Sequence, residues 1–143
     1  MRRLLEPAAL LGLPPLPAPR LRELRRFVAA EAEAQRWQDR QAAIRLSGEF
    51  HLRLARLTGN EVLHDLLRQM ISRTSLIIAM YEIPGKAGCN CAHHEALLAT
   101  IADHDPGAAA ATMATHLWEI EESLRLDRRE AEPVDFGALF GPA

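Results

Sequence analysis

Residues 44–60 read IRLSGEFHLRLARLTGN. One histidine, His51, stands among the apolar residues of this run, with Ser47 one helical turn before it and Leu54 about one turn after. That i, i+3, i+4 spacing puts all three on one face of an amphipathic helix. Thr58-Gly59-Asn60 ends the helix, glycine supplying the left-handed C-cap. An imidazole facing a core needs a reason.

Working outward, Asp39 offers an N-cap, so this helix runs from about residue 40 to 57. Upstream, residues 20–36 carry Leu21, Leu24, Val28 and Ala32 at core spacing, with Arg22, Arg25 and Arg26 on a solvated side. Residues 1–11 have helical periodicity in Leu4, Leu5, Ala8 and Leu11 but no capping residue before Met1, as if a helix were entered part-way. Gly12 stops that helix, and LPPLPAP at 13–19 forms a stiff, extended connection because each proline removes a donor.

Downstream, residues 61–81 are the most apolar helix. Leu63, Leu66, Leu67, Met70, Ile71, Thr74, Ile77, Ile78 and Tyr81 make a broad stripe, which predicts a central helix packed on several neighbours. Residues 83–90 are a loop by their proline and glycine content. A fifth helix carries His94, Leu97, Leu98 and Ile101 on one face. Asp105 caps a sixth, with Pro106 at its first position and Met113, His116, Leu117, Ile120 and Leu124 on one side to about residue 126. The expectation is an all-α antiparallel bundle of about six helices spanning residues 1–128, with a weakly ordered tail at 129–143 that docks only through Phe136, Leu139 or Phe140.

Composition agrees with that class. The chain has 143 residues, enough for one core, and its alanine and leucine outweigh the β-branched residues. A formal net charge of −2 argues against a domain that holds nucleic acid by itself. No run approaches the roughly 20 apolar residues of a membrane span and no signal-peptide pattern opens the chain, so a cytoplasmic home is expected. Cys89 and Cys91, one residue apart, have no disulfide partner and fit a reducing compartment.

Three histidines, His51, His94 and His116, thus lie on the apolar faces of three separate helices. Imidazole is a common ligand for zinc, nickel, copper and iron, and facing helices can aim side chains at one point. Three nitrogens would leave open positions for water or a small ligand. His64, His93 and His104 do not share this placement and read as surface residues. A compact thiolate site from Cys89, Cys91 and His93 or His94 is a competing arrangement, disfavoured by its crowding.

Several segments taken together resemble a known family. RRLLEP at 2–7, EFH followed by LARLTGN across 49–60, SRTSLIIAMYE at 72–82, HEALLATIADHD at 94–105 and MATHL at 113–117 are similar, in order and spacing, to the FCD domain. That is the C-terminal effector-binding domain of the FadR subfamily of GntR transcription regulators. The resemblance covers residues 2 to about 126. It implies a helical bundle that binds a small metabolite, commonly an organic acid, in a central cavity. It also implies a divalent metal held by an aspartate and three histidines, positions that fall here on Ser47, His51, His94 and His116.

Two departures follow. Ser47 replaces the carboxylate, so the expected site is three histidines with Ser47 acting through water, or a weaker one. The family's winged helix-turn-helix has no counterpart, so DNA would be reached only through a domain outside this sequence. The resemblance also implies that Arg2 faces the cavity. Arg73, beside Thr74 and Ser75 in an apolar helix, is a second candidate for a carboxylate. The expected function is therefore that of a homodimeric sensor domain, not an enzyme, holding zinc or nickel and a small carboxylate metabolite. A metal-dependent enzyme built on the same histidines and a metal-free helical dimerisation module are the alternatives. The inward faces show no obvious aspartate or glutamate to serve the former as a base.

Overall fold

Asp39, Asn60 and Asp105 each accept a hydrogen bond from the backbone N–H three residues on, at Ala42, Leu63 and Ala108. These side chains satisfy donors that a helix start leaves open, and they fix where three helices begin. In the computed structural model, which describes residues 1–82 and 91–125, six helices follow one another: α1 (Arg2–Leu11), α2 (Ala18–Arg36), α3 (Arg40–Leu57), α4 (Glu61–Tyr81), α5 (Cys91–Ala102) and α6 (Pro106–Glu122). The expected loop at 83–90 and the expected tail docking at Phe136, Leu139 or Phe140 lie outside the described residues.

The short links at 37–39, 58–60 and 103–105 fold each helix back along its predecessor, so α2 packs on α3, α3 on α4 and α5 on α6. Gly59 takes the left-handed conformation at φ +71° that the second link requires. The bundle closes because α1 lies against α6 and α2 against α5. Gly48 lets α3 and α4 approach closely: a Cβ there would stand 3.1 Å from Ile71 Cγ2. Arg40 ties the far end of that pair, its guanidinium donating to the carbonyls of Ile78 and Ala79 and to Glu82. The chain then secures α4 to α6 through a bridge between Glu82 and Leu124 and a bond from Arg125 N–H to Tyr81 O.

Phe50, Leu24, Leu97 and Met113 form the centre of the core, and His51, His94 and His116 are buried among them. The helix faces differ from expectation at three places. In α1 the buried positions are Glu6 and Leu10, while Leu4 and Leu11 are exposed, because α1 turns its Arg2/Glu6/Leu10 side inward. In α2 the core stripe runs Leu24, Val28, Glu31, Ala34, with Ala32 half-buried beside it. In α4 the helix packs only on α3 and α1 among its strong neighbours, so it is peripheral. Its inner stripe is His64, Leu67, Ile71 and Ile78, which buries His64 and leaves Leu66, Ile77 and Tyr81 exposed. Among the described residues no helix is long and apolar enough to cross a membrane.

Candidate metal centre

α3, α5 and α6 each deliver one imidazole to a single point. His51 comes from the middle of α3, His94 from the first turns of α5 and His116 from the middle of α6. Their Nε2 atoms form a triangle with edges of 3.3 Å (His51–His94), 3.1 Å (His94–His116) and 3.3 Å (His116–His51). All three side chains are buried, and the rings stack or meet edge to face, with Phe50 against His51 and His94.

Two carboxylates orient the triangle from behind. Glu6 Oε2 lies 2.6 Å from His51 Nδ1, and Glu31 Oε2 lies 2.6 Å from His94 Nδ1. A carboxylate only accepts, so each Nδ1 carries a proton, which leaves Nε2 as the atom each ring can offer to the centre. Burial would raise the Glu6 carboxyl, but the opposed effects of His51 and Arg2 outweigh it and hold it at about 2. Burial lowers His51 to about 4, with Arg2 and His94 adding to that direction against the pull of Glu6. His116 is pushed well down by burial and then by its two partner histidines, so it too is neutral.

Lone pairs aimed at one another at 3.3 Å repel. His116 Nε2 can donate one proton, which relieves one partner and leaves the other without a donor. A cation at the centre satisfies all three. The distances fit: three nitrogens bound at about 2.0–2.1 Å to a tetrahedral ion stand about 3.3–3.4 Å apart. His51, His94 and His116 therefore form a group able to hold a metal ion, and within the described residues it is the group with that geometry. His116 Nδ1 is buried without a hydrogen-bond partner, as is Glu31 Oε1.

Ser47 is buried one turn before His51 on the same face of α3, so the serine occupies the inward place expected of it. Beside His51 the free space is small, about 10 Å³, and is bounded by Glu6, Leu10, Leu54 and Met113. The roomier cavity, about 300 Å³, opens between α1, α4 and α6 and is lined by both Arg2 and Arg73, together with Met70, Thr74, Leu117 and Ile120. Arg2 links the two places, since its Nε pairs with Glu6 Oε1 while its Nη2 is buried without a partner. The crowded thiolate alternative is not assembled by the described residues: His93 pairs with Glu119 at 3.2 Å, Cys91 is half-buried, and Cys89 lies outside them.

Glu6 and Glu31 were missed by periodicity, which reserved the inward faces for apolar residues. The signal was present in α2, where Leu24, Val28 and Glu31 recur at core spacing. In α1 the same test fails, because Pro7 and four leucines in ten residues make every face look apolar.

Comparison with known proteins gives one result. The family model described as the FCD domain matches residues 1–118. No curated protein and no solved structure matches the chain.

Proposed function

We propose, from the premise that this chain belongs to the FCD domain family, that it is the ligand-sensing domain of a GntR/FadR-type transcription regulator. In this reading it works as a homodimer, holds a divalent transition metal, zinc or nickel, on His51, His94 and His116, and binds a small organic acid. A sensing role for the domain follows from the family; the metal, the acid and the dimer are our extension of it.

The observation that carries the metal is the Nε2 triangle, with Nδ1 of two rings committed to carboxylates. Neutral imidazoles at tetrahedral spacing suit a borderline ion such as zinc or nickel. The bound ion would supply positive charge that an acid's carboxylate can meet. Around a dication, the charges of Glu6, Glu31 and Arg2 leave the centre net positive by about one, which favours an anionic ligand. A carboxylate at position 47 would cancel that charge. The unpartnered Nη2 of Arg2, in the cavity that Arg73 also lines, supports a carboxylate arriving from that side.

Binding is favoured over catalysis by the state of the two inward carboxylates. Glu6 and Glu31 are each occupied by a histidine ring, so neither is free to take a proton from a metal-bound water. DNA recognition would require the winged helix-turn-helix of a longer regulator.

The test is elemental analysis of protein purified without chelators, with mass spectrometry of small molecules released on denaturation. Close to one equivalent of a divalent ion, lost in His51→Ala and His116→Ala, is expected. Metal-free wild-type protein that takes up neither zinc nor nickel on titration would overturn the metal half.

A further inference from the structure

α4 carries two stripes. The inner one, His64, Leu67, Ile71 and Ile78, is buried against α3. The outer one, Val62, Leu66, Gln69, Arg73, Leu76 and Met80, is exposed along its length. Val62, Leu76 and Met80 expose 81, 65 and 70% of their surface, and Ile77 and Tyr81 border them. The spacing within the outer stripe is four, three, four, three, four, the repeat of a helix–helix seam. The six apolar side chains and the two polar ones between them form one continuous strip about 27 Å long at 1.5 Å per residue, long enough to seat a second helix of the same length. A patch of that size on a soluble domain is an interaction surface.

The seam is self-complementary in one orientation. About a two-fold axis at the level of Ile71, whose own side chain is buried on the opposite side of the helix, antiparallel copies of α4 bring Val62 onto Met80, Leu66 onto Leu76 and Gln69 onto Arg73 of the second copy, small against large at the ends and neutral amide against guanidinium at the centre. A parallel pairing would stack Arg73 on Arg73 in the middle of the seam, like charge on like charge. We propose that the outer face of α4 is the homodimer seam of this protein, with two α4 helices antiparallel about Ile71. Arg73 stands on this seam and also lines the 300 Å³ cavity, so the second copy's Gln69 meets a cavity-lining side chain. The inference rests on the homodimer part of the reading above and is independent of the metal.

The test uses the full chain with Cys89→Ser and Cys91→Ser. Sedimentation equilibrium is expected to show a dimer that Leu76→Glu converts to monomer with unchanged helical circular dichroism. Ser72→Cys, one residue from the axis in height and to one side of the seam, is expected to cross-link to itself through a short bismaleimide, whereas Val62→Cys is not, because antiparallel copies separate the two positions by about 27 Å at 1.5 Å per residue. A dimer that survives Leu76→Glu, or that cross-links through Val62→Cys, overturns the seam and leaves the homodimer standing. A monomer at every concentration overturns both. A monomer that dimerises only after truncation behind Arg125 assigns the face to the chain's own C-terminal segment, which also overturns the seam.

Discussion

Glu31 Oε2 sits 2.6 Å from His94 Nδ1, and both residues are fully buried, at 0% exposure. A carboxylate in such a place costs several kcal/mol of desolvation unless charge of the other sign lies near. No arginine or lysine pairs with Glu31 among the described residues, and its Oε1 has no hydrogen-bond partner. A metal beyond the ring would supply the missing charge. Glu31→Gln keeps the shape and removes the charge, and its amide can donate to Nδ1 and so turn the Nε2 proton toward the ion. Metal affinity is expected to fall about 10–100-fold, measured by competition with a chromophoric chelator. Unchanged affinity would show that Glu31 does not serve the centre.

Removing the metal should lower stability by mass action. At a free ion concentration 100 times Kd the gain is about 2.7 kcal/mol, and for a domain of this size that is a shift on the order of 10 °C in Tm. Calorimetry with and without a strong chelator reads it directly, and His116→Ala should abolish the difference.

Ser47→Asp restores a carboxylate one turn before His51. The substitution is expected to act in opposite directions on the two states, lowering the Tm of the metal-free protein because a buried charge has no partner there, and tightening zinc binding tenfold or more. Affinity for an added carboxylate should drop, since the positive charge that attracts it is cancelled. Thermal melting of the metal-free protein reads the first effect, and isothermal titration with zinc, followed by citrate on the loaded protein, reads the other two.

Acid should destabilise the metal-free protein in a defined window. His51 is held at about 4 in the fold against an ordinary value of 6.5, so between those limits the unfolded chain binds more protons than the folded one. Stability therefore rises with pH across that window and falls as pH drops from 6.5 toward 4, by on the order of 3 kcal/mol for this residue. His116 acts in the same direction. Glu6, held at about 2, adds a second loss below pH 4.5 as its carboxylate is protonated. Urea denaturation at a series of pH values measures the slope. A flat profile from pH 7 to 5 would contradict a His51 and a His116 held neutral in the core.

Much of this was legible in the chain. Asp39, Asn60, Asp105 and Pro106 fix helix starts through local hydrogen bonds and backbone geometry, and the boundaries of α3 and α4 match their expected positions. His51, His94 and His116 were visible because each interrupts an apolar stripe of known period. The carboxylates behind them were not, since Glu6 and Glu31 read as solvent-facing charges until their distant partners, 45 and 63 residues away, are placed. The broad apolar stripe of α4 predicts a central helix, whereas the helix is peripheral and leaves Leu66, Ile77 and Tyr81 of that stripe exposed. Periodicity counts how many faces a helix must cover but does not say whether the cover comes from the same chain, and that ambiguity also misplaced His64.

Arg2 has one guanidinium and two calls upon it. Its Nε is engaged by Glu6, while its Nη2 is unsatisfied in the group that borders the 300 Å³ cavity. An anion entering that cavity would compete with Glu6 for the same cation, and a Glu6 relieved of Arg2 would pull harder on the Nδ1 proton of His51. Cavity and histidine centre would thereby be in heterotropic linkage, and whatever factor one occupant applied to the affinity of the other would be returned in equal measure.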